Sequence, residues 1–453
     1  MTKKNYLLIL VFLIIIISCD HKKTSNQTKE QLIQNSKKEY ISWSKLNAVS
    51  IDINNLNYHK DVKAIANSIG NAKVVAISEG FHNCKEMMTL NYKIIKYLVE
   101  NKGFNVVMAE TGLPESRLVD NYIKGQTVKK DVWKYGLNKM YSVWTEGREL
   151  INWMKTYNKN NSNKLSFLGA DIGGFYKNWY TAFDNINTYL SKVDPKFAKE
   201  LKQNIAPFLK VMGTLKARVN HKEKLTKTQK NKLTIILENA VEQFKLNQEK
   251  YIEKWNKKEY WWAKNSMVAM SMADNYYKNY LDRSEAKPNK TAGLNGRELM
   301  MAHNVLWKLK ENKNNKIILI NHVIHTKTQS QYQEDVWGYF TPMAQIIKQN
   351  LKDDFFVIGM CYGGGKFWNK WQKPQQRFVD TIQKYKPNGM EAVMKPVGKK
   401  QYFIHWEKAP LKAQYWLNSL TTLRENDYYT NIKPIEWNAC IYLENVNEAT
   451  AVK

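Results

Sequence analysis

Short runs of apolar, largely β-branched residues recur along the chain, and each run stops at polar or glycine residues. Five runs have the length and composition of buried strands, at 72–78, 104–109, 165–170, 316–320 and 355–359. Between the first two runs, Met87, Leu90, Ile94 and Leu98 follow helical spacing. Strands alternating with helices predict an α/β fold, with a mostly parallel sheet flanked by helices.

A long helical stretch interrupts this alternation. Residues from about 177 to 290 are rich in Lys, Glu, Gln, Leu and Ala, and positions such as Leu233, Leu237, Ala240 and Phe244 repeat at helical spacing. We interpret the stretch as a helical insertion within one α/β domain that spans residues 46–453. Two arrangements stay open for it: it caps the edge of the sheet, or it extends the fold away from the site.

The N-terminus has the pattern of a bacterial lipoprotein signal peptide. Lys3 and Lys4 precede 12 apolar residues from Tyr6 to Ile17, too few to span a bilayer, which needs about 20. Ser18 and Cys19 follow, and we predict cleavage after residue 18 with lipidation of Cys19. The polar residues 19–45 then predict a flexible tether, which would hold the protein at a membrane of the bacterial cell envelope.

The amino-acid composition limits which binding partners and which classes of scaffold fit this chain. The net charge is +29, but it comes from 63 Lys and only seven Arg, which are scattered along the chain. Because Arg is the residue that binds phosphates and base edges with two hydrogen bonds, this balance argues against a nucleic-acid partner. Four Cys in 453 residues exclude a disulfide-rich scaffold, and Cys84, Cys361 and Cys440 are expected to be unpaired.

Acids and histidines follow four of the predicted strands, and these side chains are the candidate functional residues. Glu79, Glu110, Asp171 and His322 come directly after a strand or one residue later, while His82 and His325 lie three residues beyond Glu79 and His322. The carboxyl ends of parallel strands meet at one edge of a sheet, where ligands bind in folds of this class. The sequence therefore predicts one site that contains all six side chains. Gly363–Gly365 lacks the Lys-Ser/Thr ending of a P-loop and predicts only a tight turn.

Several ordered motifs resemble the erythromycin esterase family. They include "AISEGFHNCKEMMTLNYKIIKYLVENKGFNVVMAETGLPESRLVDNYIKG", "LSFLGADI", "NGRELMMAHNVLWKL", "KIILINHVIHT" and "FFVIGMCYGGGKF", and together they span roughly residues 70–450. The resemblance implies a hydrolase that opens a lactone or another ester of a small molecule, such as a macrolide antibiotic, with a role in antibiotic response. It also implies catalytic residues, which are His82, Glu79, Glu110, His322 and His325.

The chain departs from the family pattern at two positions. Asn91 stands where the family has an Arg on the first helix, and Glu298 follows Arg297 where relatives often have Asp. We expect Asp171, Arg297 and Trp144 to contact the substrate.

The residues allow a direct mechanism in which His82 deprotonates water, since imidazole titrates near neutrality. There is no Gly-x-Ser-x-Gly motif, which disfavours a serine-nucleophile hydrolase, and nothing favours Cys84 as a nucleophile. No cofactor is required. Two alternatives stay open: a hydrolase that holds a divalent metal with the same acids and histidines, and a non-enzymatic ligand-binding lipoprotein.

Overall fold

The computed structural model describes most of the chain. The described residues are 28–56, 60–173, 179–212, 225–281, 290–333, 338–368, 379–382, 385–425 and 428–452. The predicted signal peptide, the lipidation site Cys19 and the first part of the predicted tether lie outside them.

Helices occur throughout the described chain, several of them with N-caps that the sequence supplies. They are α1 (Lys29–Asn47), α2 (Lys60–Ile69), α3 (Lys85–Lys102), α4 (Leu113–Ile123), α5 (Val132–Tyr135), α6 (Lys139–Ser142), α7 (Thr145–Asn160), α8 (Trp179–Val193), α9 (Pro195–Met212), α10 (Lys227–Leu246), α11 (Gln248–Lys254), α12 (Lys257–Tyr276), α13 (Lys290–Glu311), α14 (Val323–Thr326), α15 (Met343–Leu351), α16 (Met390–Met394) and α17 (Leu411–Leu417).

The strands include the five that the sequence predicts. They are β1 (Val49–Ser50), β2 (Val74–Glu79), β3 (Val106–Gly112), β4 (Ser166–Asp171), β5 (Ile317–His322), β6 (Gln331–Gln333), β7 (Gly338–Phe340), β8 (Phe355–Trp368), β9 (Val379–Thr381), β10 (Gln401–His405), β11 (Thr421–Glu425), β12 (Tyr428–Ile432) and β13 (Ala439–Val446).

A large central sheet organises the fold and confirms the predicted α/β class. Its order is β1-β10-β13-β8-β2-β5-β3-β4, and the pairings from β13 through β4 are all parallel. Within the described residues of this sheet, the antiparallel pairings are β1 with β10, β10 with β13, and β9 with β8. The inner strands are apolar on both faces because each face is covered by its own hydrophobic core, as a parallel sheet requires.

The register of the strands brings the predicted site together. Glu79 at the end of β2 pairs with His322 at the end of β5, and Ala109 beside Glu110 pairs with Ile320. Asp171 ends β4 next to β3. The carboxyl ends of β2, β5, β3 and β4 therefore form one continuous edge, as predicted.

The helices from α8 to α12 pack around a third hydrophobic core. Its members also include Ile172, which follows β4, and Phe340 in β7, while Ile324 beside the end of β5 packs against it. These helices therefore contact the carboxyl edge of the sheet. Helix α13 joins the two regions, because Met300 belongs to the third core and Met301 to a core of the sheet.

The predicted flexible tether is wrong for residues 29–45, which lie in helix α1. Thr28 caps this helix in a reciprocal capping box with Gln31. Tyr40 is fully buried, its hydroxyl accepts from the Trp406 indole N–H at 3.0 Å, and its ring lies 4.5 Å from that of Trp416. The polar composition misled the prediction because only three of the 19 residues of α1, Ser36, Tyr40 and Ser44, are buried.

The prediction of a tight turn at Gly363–Gly365 is also wrong, since these residues continue strand β8. Gly364 and Gly365 pair with Asn445 and Val446 of β13. A Cβ atom at Gly363 would lie 2.5 Å from the Tyr442 hydroxyl, so a glycine is needed for close approach between strands.

Among the described residues, no helix combines the length and the hydropathy that a membrane span needs.

We predict that Tyr40→Ala lowers the free energy of unfolding by about 3–5 kcal/mol, because it leaves a cavity among buried aromatic rings. Urea denaturation followed by tryptophan fluorescence measures the loss. Leu46→Ala on the same helix is the control, since Leu46 is exposed and should change stability by less than about 0.5 kcal/mol. Equal, small effects of the two substitutions would contradict the docking of α1.

Candidate active site

A sharp turn after β2 presents His82 to the carboxyl edge of the sheet. Phe81 anchors the turn in the core, with its ring 4.5 Å from that of Tyr362. Asn83 adopts a left-handed backbone conformation with φ of 67°, which is uncommon outside glycine. The Trp144 indole N–H donates to Asn83 Oδ1 at 2.8 Å and holds the turn in place.

His82 lies between two carboxylates. Its Nδ1 is 3.1 Å from Glu79 Oε2, and its Nε2 is 3.7 Å from Glu110 Oε2. The other oxygen of Glu79 accepts a hydrogen bond of 2.7 Å from the Asn91 side-chain amide on α3. Glu79 therefore fixes the orientation of the imidazole, and Nε2 is the nitrogen that faces Glu110.

Glu110 is the centre of the cluster, because four groups approach its two oxygens. Oε1 lies 3.3 Å from both His325 Nε2 and an Arg297 guanidinium nitrogen. Oε2 accepts from the His322 backbone N–H at 3.1 Å and faces His82. A buried carboxylate with these partners is stable only in its ionised form.

Arg297 and His325 are the cations that balance these acids. Arg297 on α13 binds Asp171 with two hydrogen bonds, of 2.9 and 2.6 Å, in the planar geometry that guanidinium and carboxylate share. His325 Nδ1 lies 2.7 Å from Oε1 of Glu298, the residue after Arg297. The second oxygen of Glu298 accepts the Met343 backbone N–H at the start of α15.

The three histidines have different proton affinities. Burial opposes protonation of His82, but the hydrogen bond to Glu79 and the charges of Glu110 and Glu79 outweigh it and raise its pKa. Burial and the charge of His82 hold the pKa of His322 well below its usual range. For His325, burial is outweighed by Glu298 and Glu110, which raise its pKa to about 10.

These directions assign charges at neutral pH. His325 is an imidazolium and His322 is neutral. His82 has a pKa above the usual value of 6.5, between those of the other two histidines in its response to pH. Burial favours protonation of Glu110, yet His325, His82 and Arg297 together hold its pKa well below its usual range. His322 Nδ1 accepts from the Ile324 backbone N–H at 3.4 Å, which places the proton of the neutral ring on Nε2.

Five of the predicted residues, His82, Glu79, Glu110, His322 and His325, do come together, and two predicted substrate contacts need correction. Trp144 lies outside the cluster, stacks on Trp368 and is 2% exposed, so its ring has no face left for a ligand. Asp171 is 1% exposed and both its oxygens bind Arg297, so it positions that arginine instead. Arg297 lies within the cluster beside Glu110.

Cys84 is an inert thiol. It is buried, and burial together with the charge of Glu86 raises its pKa well above the usual range. A thiolate nucleophile therefore does not form there at neutral pH.

Within the described ranges, no three His, Cys, Asp or Glu side chains are arranged to hold a metal ion, so the metal-dependent alternative gains no geometric support.

Sequence reasoning missed two functions of residues in the cluster. Glu298 was noted only as a departure from a pattern, although an acid at the start of the largely apolar stretch "ELMMAHNVL" is a signal for a buried charge partner. Asn91 was noted as the loss of a cation, and the structure shows that Asn91 donates directly to Glu79.

Comparison with known proteins identifies the family. The family model described as erythromycin esterase matches residues 99–438, three quarters of the chain. The chain belongs to the erythromycin esterase family. Membership in this family makes it a hydrolase.

Individual relatives agree with this family assignment. An erythromycin esterase type II of Escherichia coli is 25% identical over 79% of this chain and 86% of its own length. A putative hydrolase of Bacillus subtilis (strain 168) is 23% identical over 92% of this chain and 93% of its own length.

Solved structures show the same fold. A Bacillus cereus protein superposes with a TM-score of 0.77 at 20% identity, covering 92% of this chain and 99% of its own. An erythromycin esterase mutant in its open conformation superposes with a TM-score of 0.70 at 15% identity, covering 86% of this chain and 95% of its own.

We predict that Arg297→Met lowers the free energy of unfolding by about 3–5 kcal/mol, because it leaves Asp171 and Glu110 buried without their guanidinium. Urea denaturation at pH 7 measures it. Lys130→Met is the control, since Lys130 pairs with Asp184 at an exposed position and should cost about 1 kcal/mol or less. Similar losses in both variants would show that the buried charges do not depend on Arg297.

Proposed function

We propose that this protein is a carboxylic ester hydrolase that opens a lactone or cleaves a related ester by direct attack of water, with His82 as the general base. The proposal rests chiefly on one observation, the position of His82 between Glu79 and Glu110 at the carboxyl edge of the sheet. Family membership supports hydrolysis as the reaction class.

In the first step, His82 Nε2 takes a proton from water while the water oxygen attacks the ester carbonyl carbon. Glu79 accepts the Nδ1–H of His82, which leaves the lone pair on Nε2 and stabilises the imidazolium that forms. Because the pKa of His82 is raised, its neutral, basic form becomes dominant at a higher pH than for an ordinary histidine. The value of kcat/KM therefore rises with pH through a pKa above 6.5.

The neutral His322 ring lies 4.9 Å from that of His82, and in this mechanism its Nε2–H donates to the oxyanion that forms when water attacks. In the second step, the tetrahedral intermediate collapses and the bond to the leaving oxygen breaks. The proton on His82 then passes to the leaving alkoxide. One water is consumed, and one carboxylic acid and one alcohol are formed.

We propose macrolide lactones as the first substrate class to examine, and a role in the response to such antibiotics. Two relatives from Escherichia coli carry the name erythromycin esterase, which supports this choice. Asn91, which donates to Glu79, stands where the family has an Arg, and this difference near the base can change which esters are accepted. Simple neutral esters therefore belong in the same comparison.

We also propose that the protein is attached to a membrane of the bacterial cell envelope through acyl chains on Cys19. Lys3, Lys4 and the apolar residues up to Ile17 support this through their signal-peptide pattern. Helix α1 begins at Lys29, ten positions along the sequence from Cys19.

We predict that the wild-type protein adds the mass of one water to erythromycin or to an ester of a simple panel, and that His82→Ala lowers this rate by at least about 100-fold. Mass spectrometry of the products measures both. His405→Ala is the control, because His405 lies at the end of β10 with Glu407 as its partner and outside the cluster.

Two outcomes would contradict the mechanism. Undiminished turnover by His82→Ala would exclude His82 as the base. Saturable binding of a panel member without any chemical change would favour a ligand-binding protein. Circular dichroism of the variants verifies that the fold is intact.

A further inference from the structure

An alternating series of carboxylates and imidazoles runs through the cluster from one side to the other. Glu298 contacts His325 at 2.7 Å, and His325 contacts Glu110 at 3.3 Å. Glu110 faces His82 at 3.7 Å, and His82 contacts Glu79 at 3.1 Å. Glu298 has no role in the hydrolytic steps above, although it is completely buried and stands at one end of this series.

The charged surroundings of His325 come from three elements. Helix α13 contributes Glu298 and Arg297, strand β3 contributes Glu110, and the turn after β2 contributes His82. His322 at the end of β5 lies three residues before it and is neutral. Glu298 and Glu110 attract the proton of His325, whereas Arg297 opposes it.

Glu298 is held in place from its other side. Its Oε2 accepts the Met343 backbone N–H at 2.9 Å, at the start of α15. With one oxygen fixed by a backbone donor and the other by the imidazole, the carboxylate is oriented along the His325 ring.

We propose that Glu298 is a positioning residue, which holds the His325 imidazolium against Glu110 and so keeps the charge of Glu110 from acting fully on His82. Glu298 thereby tunes the general base through two intermediate residues and without touching the substrate. This inference deepens the proposed hydrolase mechanism, since it concerns the same base, but it is testable without turnover.

The sign of the expected effect distinguishes this coupling from a direct one. Removing a nearby negative charge by itself lowers the pKa of a histidine. Here, removal of the Glu298 charge lets His325 lose its proton, and the His325 charge is one of the factors that lower the pKa of His82. The full charge of Glu110 then acts on His82, so its pKa rises.

The experiment is an NMR pH titration of protein labelled with ¹³C at histidine Cε1, in wild type and in Glu298→Gln. Gln has nearly the same shape, and its side-chain oxygen still accepts the Met343 N–H. We expect His325 to titrate well below its wild-type pKa, and the pKa of His82 to rise by about 0.5–1 unit. His82→Gln and His325→Gln assign the two signals.

Two further variants keep the test sharp. Glu298→Asp retains the charge, so the pKa of His82 should lie nearer to wild type than in Glu298→Gln, and it serves also if Glu298→Gln does not fold. Glu311→Gln, on the same helix, pairs with Lys308 at an exposed position and should leave both histidines unchanged.

A fall or no change in the pKa of His82 in folded Glu298→Gln would overturn the inference, as would an equal rise in Glu311→Gln. Where an ester is hydrolysed, the acid limb of kcat/KM should shift upward with the His82 titration while KM stays within about twofold. Absence of ester hydrolysis with the predicted titration shifts would overturn the proposed function and leave the coupling supported.

Discussion

Burial of charge at the carboxyl ends of β2, β3, β4 and β5 is the constraint on which the rest of this structure depends. Four carboxylates, those of Glu79, Glu110, Asp171 and Glu298, lie there with little exposure. Unpaired, each of them would cost several kcal/mol. The protein compensates by giving each acid a specific partner, and these pairings decide which histidine is charged.

The scaffold serves this arrangement. Parallel strands bring the acids and histidines to one edge, and helix α13 carries both Arg297 and Glu298 there between the cores of the sheet and of the helices α8–α12. The turn after β2 is fixed by Phe81 in the core and by Trp144 bound to Asn83. The histidine proposed as base therefore stands on a rigid support, which limits the reorganisation that catalysis requires.

Much of the fold was predictable because its signals are local. The five predicted strands are mostly apolar, and each run stops at a polar or glycine residue, so their positions and the edge that they share follow from the sequence pattern alone. Strands β10 and β13 gave weaker signals, since aromatic and polar residues interrupt them. Helix α1 was missed because Tyr40, Ser36 and Ser44 are a narrow buried stripe in a polar segment.

The site was predictable in its members but not in its pairings. Residue types at strand ends indicate that His82, His322 and His325 share one site. Their protonation states depend on contacts between elements distant in sequence, such as Glu298 with His325 and Ile324 N–H with His322. Such contacts follow from tertiary packing, which single-residue patterns do not specify.

The most direct measurement for the central claim is the wild-type titration of these three histidines, by NMR of ¹³C-labelled imidazoles between pH 5 and 9. The structure predicts that His325 stays protonated through pH 8, that the pKa of His322 lies well below 6.5, and that the pKa of His82 lies above 6.5. Three histidines that titrate together near 6.5, the value of an unperturbed side chain, would contradict the account.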